Sequence, residues 1–414
     1  MRAEGTAQGT CAPGFEPVRE IFSAHFAAGL EVGAAVAVVH HGRLVVDLWG
    51  GHMDRARTRP WGRDTLVNVY STTKGLVALL VAMLVDEGKL QYEAPVARYW
   101  PAFAARGKDG VTVAMLLSHQ AGLCGVDTRL QTCDLYDWSK MVAILEQAAP
   151  LWAPGERTGY HARTWGFLVG ELIRRVTGRR VGDFLRERLA EPFALDFHVG
   201  LPAAEDARAA EIVGPDAFWE RQQLARQDAR LRERMDTALV DMMGLDVRTG
   251  AQAPPPPEVL ALMEKVFTNP FNDLEAPNCR AWRAAEIPSS NGHGTARGLA
   301  RVYGALAAGG ELDGRRLLGR DALAAATRLE SDRLDGVLGF PVRWARGFTL
   351  NGGEFGPSPG AFGHRGIGGS FACADAEAGV GVAYTPNQLV PKFGDNPGND
   401  PRADRLMAAL YECL

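Results

Sequence analysis

Apolar positions recur at helical spacing over residues 17 to 28, where Val18, Ile21, Phe22 and Phe26 share a face with His25, so the chain opens on an amphipathic helix. The period then shortens to that of strands. Residues 34–39 (Ala-Ala-Val-Ala-Val-Val) and 43–49 (Arg-Leu-Val-Val-Asp-Leu-Trp) are joined through His40-His41-Gly42, which predicts a hairpin with glycine where positive φ is needed. The Gly50-Gly51 pair closes its second strand. A second hairpin is predicted near the C-terminus, where residues 369–374 and 379–384 flank Asp375-Ala376-Glu377-Ala378. Residues 400–414 return to helical spacing. Strands near both ends, with a helix outside each, predict one antiparallel sheet completed by the two ends of the chain.

Between those ends the helical period dominates, over residues 71–88, 111–117, 138–147, 164–176 and 217–235. The expected organisation is therefore an α/β (α+β) fold: a discontinuous sheet domain of residues 1–60 and 290–414, and an inserted, mostly helical domain of residues 61–289. Residues 251–257 end in four successive prolines, which forbid both helix and ladder pairing and predict a stiff surface segment. No internal repeat is evident.

Composition narrows the function classes. A chain of 414 residues with 46% hydrophobic and 23% charged residues buries a substantial core. A net charge of −4, with basic residues scattered, gives no reason to expect nucleic acid or an anionic membrane as partner. The apolar run 76–85 is about half a membrane span and predicts a buried helix. The N-terminal nine residues lack a basic start followed by an apolar stretch, so a cytoplasmic protein is expected. Six cysteines without a C-x-x-C pair argue against a zinc knuckle or disulfide framework. Reduced, mostly buried thiols are expected, with Cys124–Cys133 the only pair that an oxidising compartment would suggest. Nine histidines show no H-x-H or H-E-x-x-H spacing, so neither a metal nor another cofactor is expected. Oligomeric state is left open.

Three segments carry candidate chemistry. Ser71-Thr72-Thr73-Lys74 stands where the apolar helix begins, and positions i and i+3 share a helix face, so a hydroxyl and an amine come within hydrogen-bond reach. A partly buried lysine with a lowered pKa can take a serine's proton, and the helix start offers N–H groups to an oxyanion. Tyr160 follows a turn-rich approach and precedes the run 164–176. It can serve as general acid or base if neighbouring cations depress its phenol. Residues 362–370 (Phe-Gly-His-Arg-Gly-Ile-Gly-Gly-Ser) hold four glycines beside a strand, which lets backbone approach a ligand and leaves an N–H free to donate. His119, in Leu117-Ser118-His119-Gln120-Ala121-Gly122, reads as structural. Pro288-Ser289-Ser290-Asn291 borders the pocket, and Thr295 caps the helix that follows. No G-x-S-x-G elbow is present.

Taken together, Ser71-Thr72-Thr73-Lys74, Tyr160 and His364-Arg365-Gly366 resemble, in order and separation, the three motifs of the serine β-lactamase and penicillin-binding-protein superfamily: S-x-x-K, a Tyr-led motif and a K-T-G-like strand. The flanking text of residues 64–75, 117–123 and 363–370 is similar to that of the class C β-lactamase-like serine hydrolases, in particular the family VIII carboxylesterases. The resemblance covers residues 16–412 or so, and residues 200–280 carry no motif. It implies an active site in the cleft between the two domains, with Ser71 the acylated nucleophile and Lys74 its proton acceptor. Tyr160 would be the base that finishes activation and later prepares water. The oxyanion hole would be the N–H groups of Ser71 and Ile367, and His364, Arg365 and Gly366 would bind substrate. Antibiotic-cleaving members usually place an asparagine two residues after the tyrosine, where this chain has Ala162, and Lys-Thr where it has His364-Arg365. These departures favour a small-molecule ester with a short acyl chain over a β-lactam. β-Lactamase or D-amino-acid peptidase activity on the same site, acyltransferase and a non-enzymatic scaffold with the same fold remain as alternatives.

Overall fold

Residues 7–214, 257–270, 275–389 and 400–414 are described by the structure, a computed structural model. Both predicted hairpins form. Gly33–His40 pairs with Arg43–Gly51 and turns at His41 and Gly42, whose φ values of 47° and 75° give the two left-handed residues that match the twist of the flanking strands. Phe371–Asp375 pairs with Val380–Pro386. The ends of the chain meet where Val380–Pro386 runs antiparallel to Gly33–His40, with Val382 opposite Val38. The sheet has seven strands in the order Gln8–Cys11, Arg43–Gly51, Gly33–His40, Val380–Pro386, Phe371–Asp375, Phe362–Arg365, Thr349–Leu350. The first and last of these, both edges, carry no hydrophobic alternation long enough to announce them.

The two sheet faces bury different residue types. Val36, Val38, Phe371, Val382 and Tyr384 point outward, beneath the Glu16–Ala27 and Pro401–Tyr411 helices. Ala35, Ala37, Ala372, Ala374 and Ala383 point inward. Small residues on that face let the Ala296–Ala307 helix approach the sheet by its backbone: a Cβ on Gly381 would stand 2.0 Å from Gly304 N. Thr295 caps this helix as expected, accepting from Gly298 N–H.

Beyond it lies the Thr73–Asp86 helix, buried from Thr73 to Leu84, which accounts for an apolar run that shows no polar face. The Thr164–Thr177 helix packs nearby and ends at Gly178, φ 70°. The middle of the chain also contributes short strands, Val67–Asn68 and Phe197–His198, which flank His293–Gly294. The predicted 217–235 helix and residues 251–256 of the proline segment lie outside the described residues, and Pro257 already opens a helix. No helix among the described residues is long and apolar enough to cross a membrane. The thiols are free, but only Cys124 and Cys373 are buried, while Cys133 and Cys279 are exposed. The expectation of mostly buried cysteines is corrected: the exposed two sit on surface turns and helix starts, where sequence hydropathy says little.

Gly381→Ala tests the close approach. The obstruction is backbone, which cannot swing aside, so overpacking costs about 1–3 kcal/mol. A lowered melting temperature with the secondary structure retained is the expected result of thermal unfolding followed by circular dichroism.

Candidate active site

Tyr70, immediately before the Thr73–Asp86 helix, adopts φ 45°, a left-handed conformation uncommon for a bulky residue. This turn sets Ser71 just outside the helix start, half-buried, while Thr72, Thr73 and Lys74 are fully buried. Lys74 reaches back as the i, i+3 spacing requires: its Nζ lies 3.1 Å from Ser71 Oγ. It also donates to the main-chain carbonyls of Ala162 and Ser289, both at 2.9 Å. No carboxylate pairs with this amine among the described residues. Burial, reinforced by the charge of Arg163, holds Lys74 well below the ordinary lysine value of 10.5. The shift favours the uncharged amine.

Tyr160 approaches Ser71 from the other side, its Oη 2.7 Å from Ser71 Oγ. Its ring lies under Lys74 Nζ, 4.8 Å from centroid to nitrogen, and stacks on Trp344 at 5.6 Å with the planes 5° apart. The condition that neighbouring cations depress its phenol is not met. Burial pushes Tyr160 far above its ordinary 10.0, partly offset by the bond to Ser71, and the Asp335 carboxylate pushes it further. Lys74, whose Nζ lies over the ring, is itself pushed toward its neutral form by burial. Tyr160 is a protonated phenol.

The glycine-rich segment forms a strand and a tight turn. Gly366 N–H donates to Ser370 O at 2.7 Å and Gly369 N–H to Gly366 O at 3.2 Å. Ser370 Oγ–H donates to Val69 O at 2.8 Å and lies 3.1 Å from Thr72 Oγ1, lacing the turn to the segment that carries Ser71. Gly366 is required by that closeness, because a Cβ there would stand 2.4 Å from both Ser370 Oγ and Val69 O. On the far side, buried Arg402 donates to Gly368 O at 2.8 Å while paired with Asp400 and Glu31. The Ile367 N–H, inside this turn, finds no acceptor among the described residues.

His364 and Arg365 part company. His364 shares the inward face with Phe362, and its ring stands 6.3 Å from that of Tyr160. Its Nδ1–H donates to Arg365 O at 2.7 Å, and its Nε2 is buried without a partner among the described residues. Burial and then the neighbouring Lys74 lower its pKa to about 3, so the imidazole is neutral. Arg365, one residue on, faces the opposite side. It donates to Glu354 O, pairs with Asp404 at 3.2 Å, and lies over the rings of Phe355 and Phe371. It is therefore corrected from a substrate-binding to a packing residue. Strand alternation, with a side-chain period of two, already separates neighbours in this way.

Residues of lesser weight in the sequence complete the surroundings. His161 is locked between Gly159 O, 2.6 Å from its Nδ1, and the Leu123 N–H, 2.9 Å from its Nε2. Its own N–H donates to His119 Nδ1 at 3.1 Å, and His119 packs edge-on against Trp344. Burial keeps both imidazoles below 6.5, His161 at about 4. Ser289, flagged as bordering the pocket, does so through its carbonyl. Asp335 and Trp344 had no local signal. Ala162 presents a carbonyl to Lys74 and has no side-chain amide. Among the described residues no group of histidines, cysteines and carboxylates is arranged to hold a metal ion.

The chain is similar to known proteins over nearly its whole length. The chain is 38% identical over 385 residues to Esterase/beta-lactamase LipL of Mycobacterium tuberculosis, spanning 92% of this chain and 83% of that protein. Among solved structures it superposes on a family VIII carboxylesterase with a TM-score of 0.85 and 44% identity, over 99% of this chain and 100% of the other. A penicillin-binding protein homologue from Caulobacter crescentus gives a TM-score of 0.84 and 41% identity over the same shares. The sequence pattern of the beta-lactamase family matches residues 19–406, and the chain belongs to that family.

Proposed function

We propose that the protein is a serine carboxylesterase that hydrolyses small or short-chain acyl esters through an acyl-enzyme on Ser71. One observation carries the reading: Ser71 Oγ lies between the Lys74 amine, which burial pushes toward its neutral form, at 3.1 Å and a protonated phenol at 2.7 Å. Lys74 as a neutral amine has two N–H groups and one lone pair. The carbonyls of Ala162 and Ser289 take the two N–H groups, which leaves the lone pair for the Ser71 hydroxyl proton. Tyr160 O–H donates to Ser71 Oγ, so the donors run in one direction from Tyr160 to Ser71 to Lys74.

The Ser71 proton passes to Lys74 as Oγ adds to the ester carbonyl carbon, and the oxygen of that carbonyl takes up the negative charge. The N–H groups of Ser71 and Ile367 hold that oxyanion. Collapse expels the alcohol as an alkoxide, which takes the proton back through the Lys74–Tyr160 pair and leaves Ser71 acylated. Water then attacks the acyl carbon and gives a proton to the same pair, and collapse breaks the bond to Ser71 Oγ, which takes that proton back as the acid leaves. Esters are favoured over β-lactams by two side chains: Ala162 has no amide to hold a substrate amide, and neutral His364 offers no charge to a substrate carboxylate. The name of the mycobacterial relative pairs both activities, which makes β-lactam opening the second reading.

A phosphonate ester should label Ser71, located by mass spectrometry, and Ser71→Ala should lose at least about 10³-fold in p-nitrophenyl ester turnover. Label elsewhere would remove Ser71 from the mechanism. Nitrocefin turnover equal to ester turnover would reverse the substrate preference.

The pH dependence follows from Lys74. Its pKa is lowered in the folded protein, so the working amine forms above that value, and kcat/KM rises with pH through it. The unfolded chain binds this proton up to about 10.5, so stability also rises with pH between the lowered value and 10.5. Tyr160 adds no alkaline limb near neutrality. Lys74→Arg, charged throughout, should be inactive at every pH. An active Lys74→Arg enzyme with the same acid limb would assign the proton acceptor elsewhere.

A further inference from the structure

Tyr160 lies in a segment outside any helix or long strand, yet its hydroxyl must stand within hydrogen-bond reach of Ser71. Its neighbours are tethered through His119, whose carbonyl accepts from Gly159 N–H at 3.1 Å and whose Nδ1 accepts from His161 N–H. The Tyr160 N–H itself goes to Asp335 Oδ1 at 3.0 Å, across 175 residues of sequence. The same oxygen accepts from Val337 N–H at 2.9 Å and Leu338 N–H at 3.0 Å. The other carboxylate oxygen accepts from Trp344 Nε1–H at 3.1 Å, and Trp344 is the ring stacked on Tyr160. Gly336 N–H, next in chain, donates to Thr158 O at 2.8 Å.

We propose that Asp335 is the positioning residue of Tyr160: one fully buried carboxylate fixes the main chain of the tyrosine through one oxygen and the face of its ring, through Trp344, by the other. Four N–H donors converge on Asp335 and no cation pairs with it among the described residues. Each carboxylate oxygen is thus committed. A carboxylate that served only to close the 335–338 turn would need the two main-chain donors of Val337 and Leu338. The other two donors tie that turn to Tyr160 from two directions. The inference rests on Tyr160 acting on Ser71.

Asp335→Asn separates the bonds. An asparagine oxygen keeps the three main-chain donors, but its NH2 faces the Trp344 N–H donor to donor and displaces the indole. Misplacement of Tyr160 by a fraction of an ångström to an ångström lowers kcat by about 10- to 100-fold, with KM nearly unchanged. Trp344→Phe keeps a stacking ring and removes the opposing donor, so Asp335→Asn/Trp344→Phe should recover kcat over Asp335→Asn alone. Wild-type kcat in a folded Asp335→Asn protein, or a double variant no better than the product of the two single losses, would overturn the proposal. Should Asp335→Asn not fold, Trp344→Leu must lower kcat further than Trp344→Phe, and equal values would overturn it. Tyr160→Phe is measured alongside. Full activity there discards the role of Tyr160 itself and the positioning role with it, whereas loss there with an unaffected Asp335→Asn discards positioning alone.

Discussion

The site is organised around an amine that has no carboxylate partner among the described residues. A charged lysine so placed is expensive to bury, and that cost pushes Lys74 toward its neutral form. Neutrality then dictates the surroundings. Two N–H groups need acceptors, and the Ala162 and Ser289 carbonyls supply them from segments far apart in sequence. The third direction is left to Ser71. Were a carboxylate present, the lysine would be an ion-paired cation with no lone pair, and Ser71 would have no base. The same burial that pushes Lys74 toward the neutral amine keeps Tyr160 protonated, so it favours the un-ionised form of both groups.

This arrangement requires three segments to meet at the first turn of one helix, and the small residues of the sheet make that possible. The alanine-lined inner face and the Gly381–Gly304 contact bring the Ala296–Ala307 helix close against the strands. The Thr73–Asp86 helix can then be buried almost completely behind it. Its start lies beside the Gly366–Ser370 turn, where only glycine leaves room for Val69 O and Ser370 Oγ. Packing and chemistry thus share residues: a larger side chain at position 366 would separate the Ile367 N–H from the serine it is proposed to serve.

What was legible in the sequence was what short-range physics determines. The hairpins were announced by β-branched runs around His41-Gly42, and the Ser71–Lys74 pair by its i, i+3 spacing and the apolar run after it. The protonation of Tyr160 was not, because it depends on how deeply the ring is buried and on a lysine already discharged, neither of which is a local property. Arg365 was misplaced for a different reason. The motif resemblance grouped it with His364, although alternation along a strand sends the two to opposite faces. Asp335 and Trp344 carried no signal, since an isolated aspartate and tryptophan in a turn-rich stretch acquire meaning only when a contact spanning 175 residues closes.

Substrate preference follows from the same electrostatic logic. A site whose phenol stays protonated, whose three nearby imidazoles are held neutral and whose lysine is pushed toward its neutral form presents few fixed positive charges to a bound molecule. The one guanidinium that the third motif seemed to offer, on Arg365, is turned away to Asp404 and two aromatic rings. An anionic group brought against such neutral side chains would lose hydration without gaining an ion pair, which is a net penalty. A neutral ester loses little and develops charge only at its carbonyl oxygen, which the N–H groups of Ser71 and Ile367 are proposed to hold. The discharged site therefore spends its polarity on the transition state rather than on the ground-state substrate, and this favours uncharged acyl esters over carboxylate-bearing lactams.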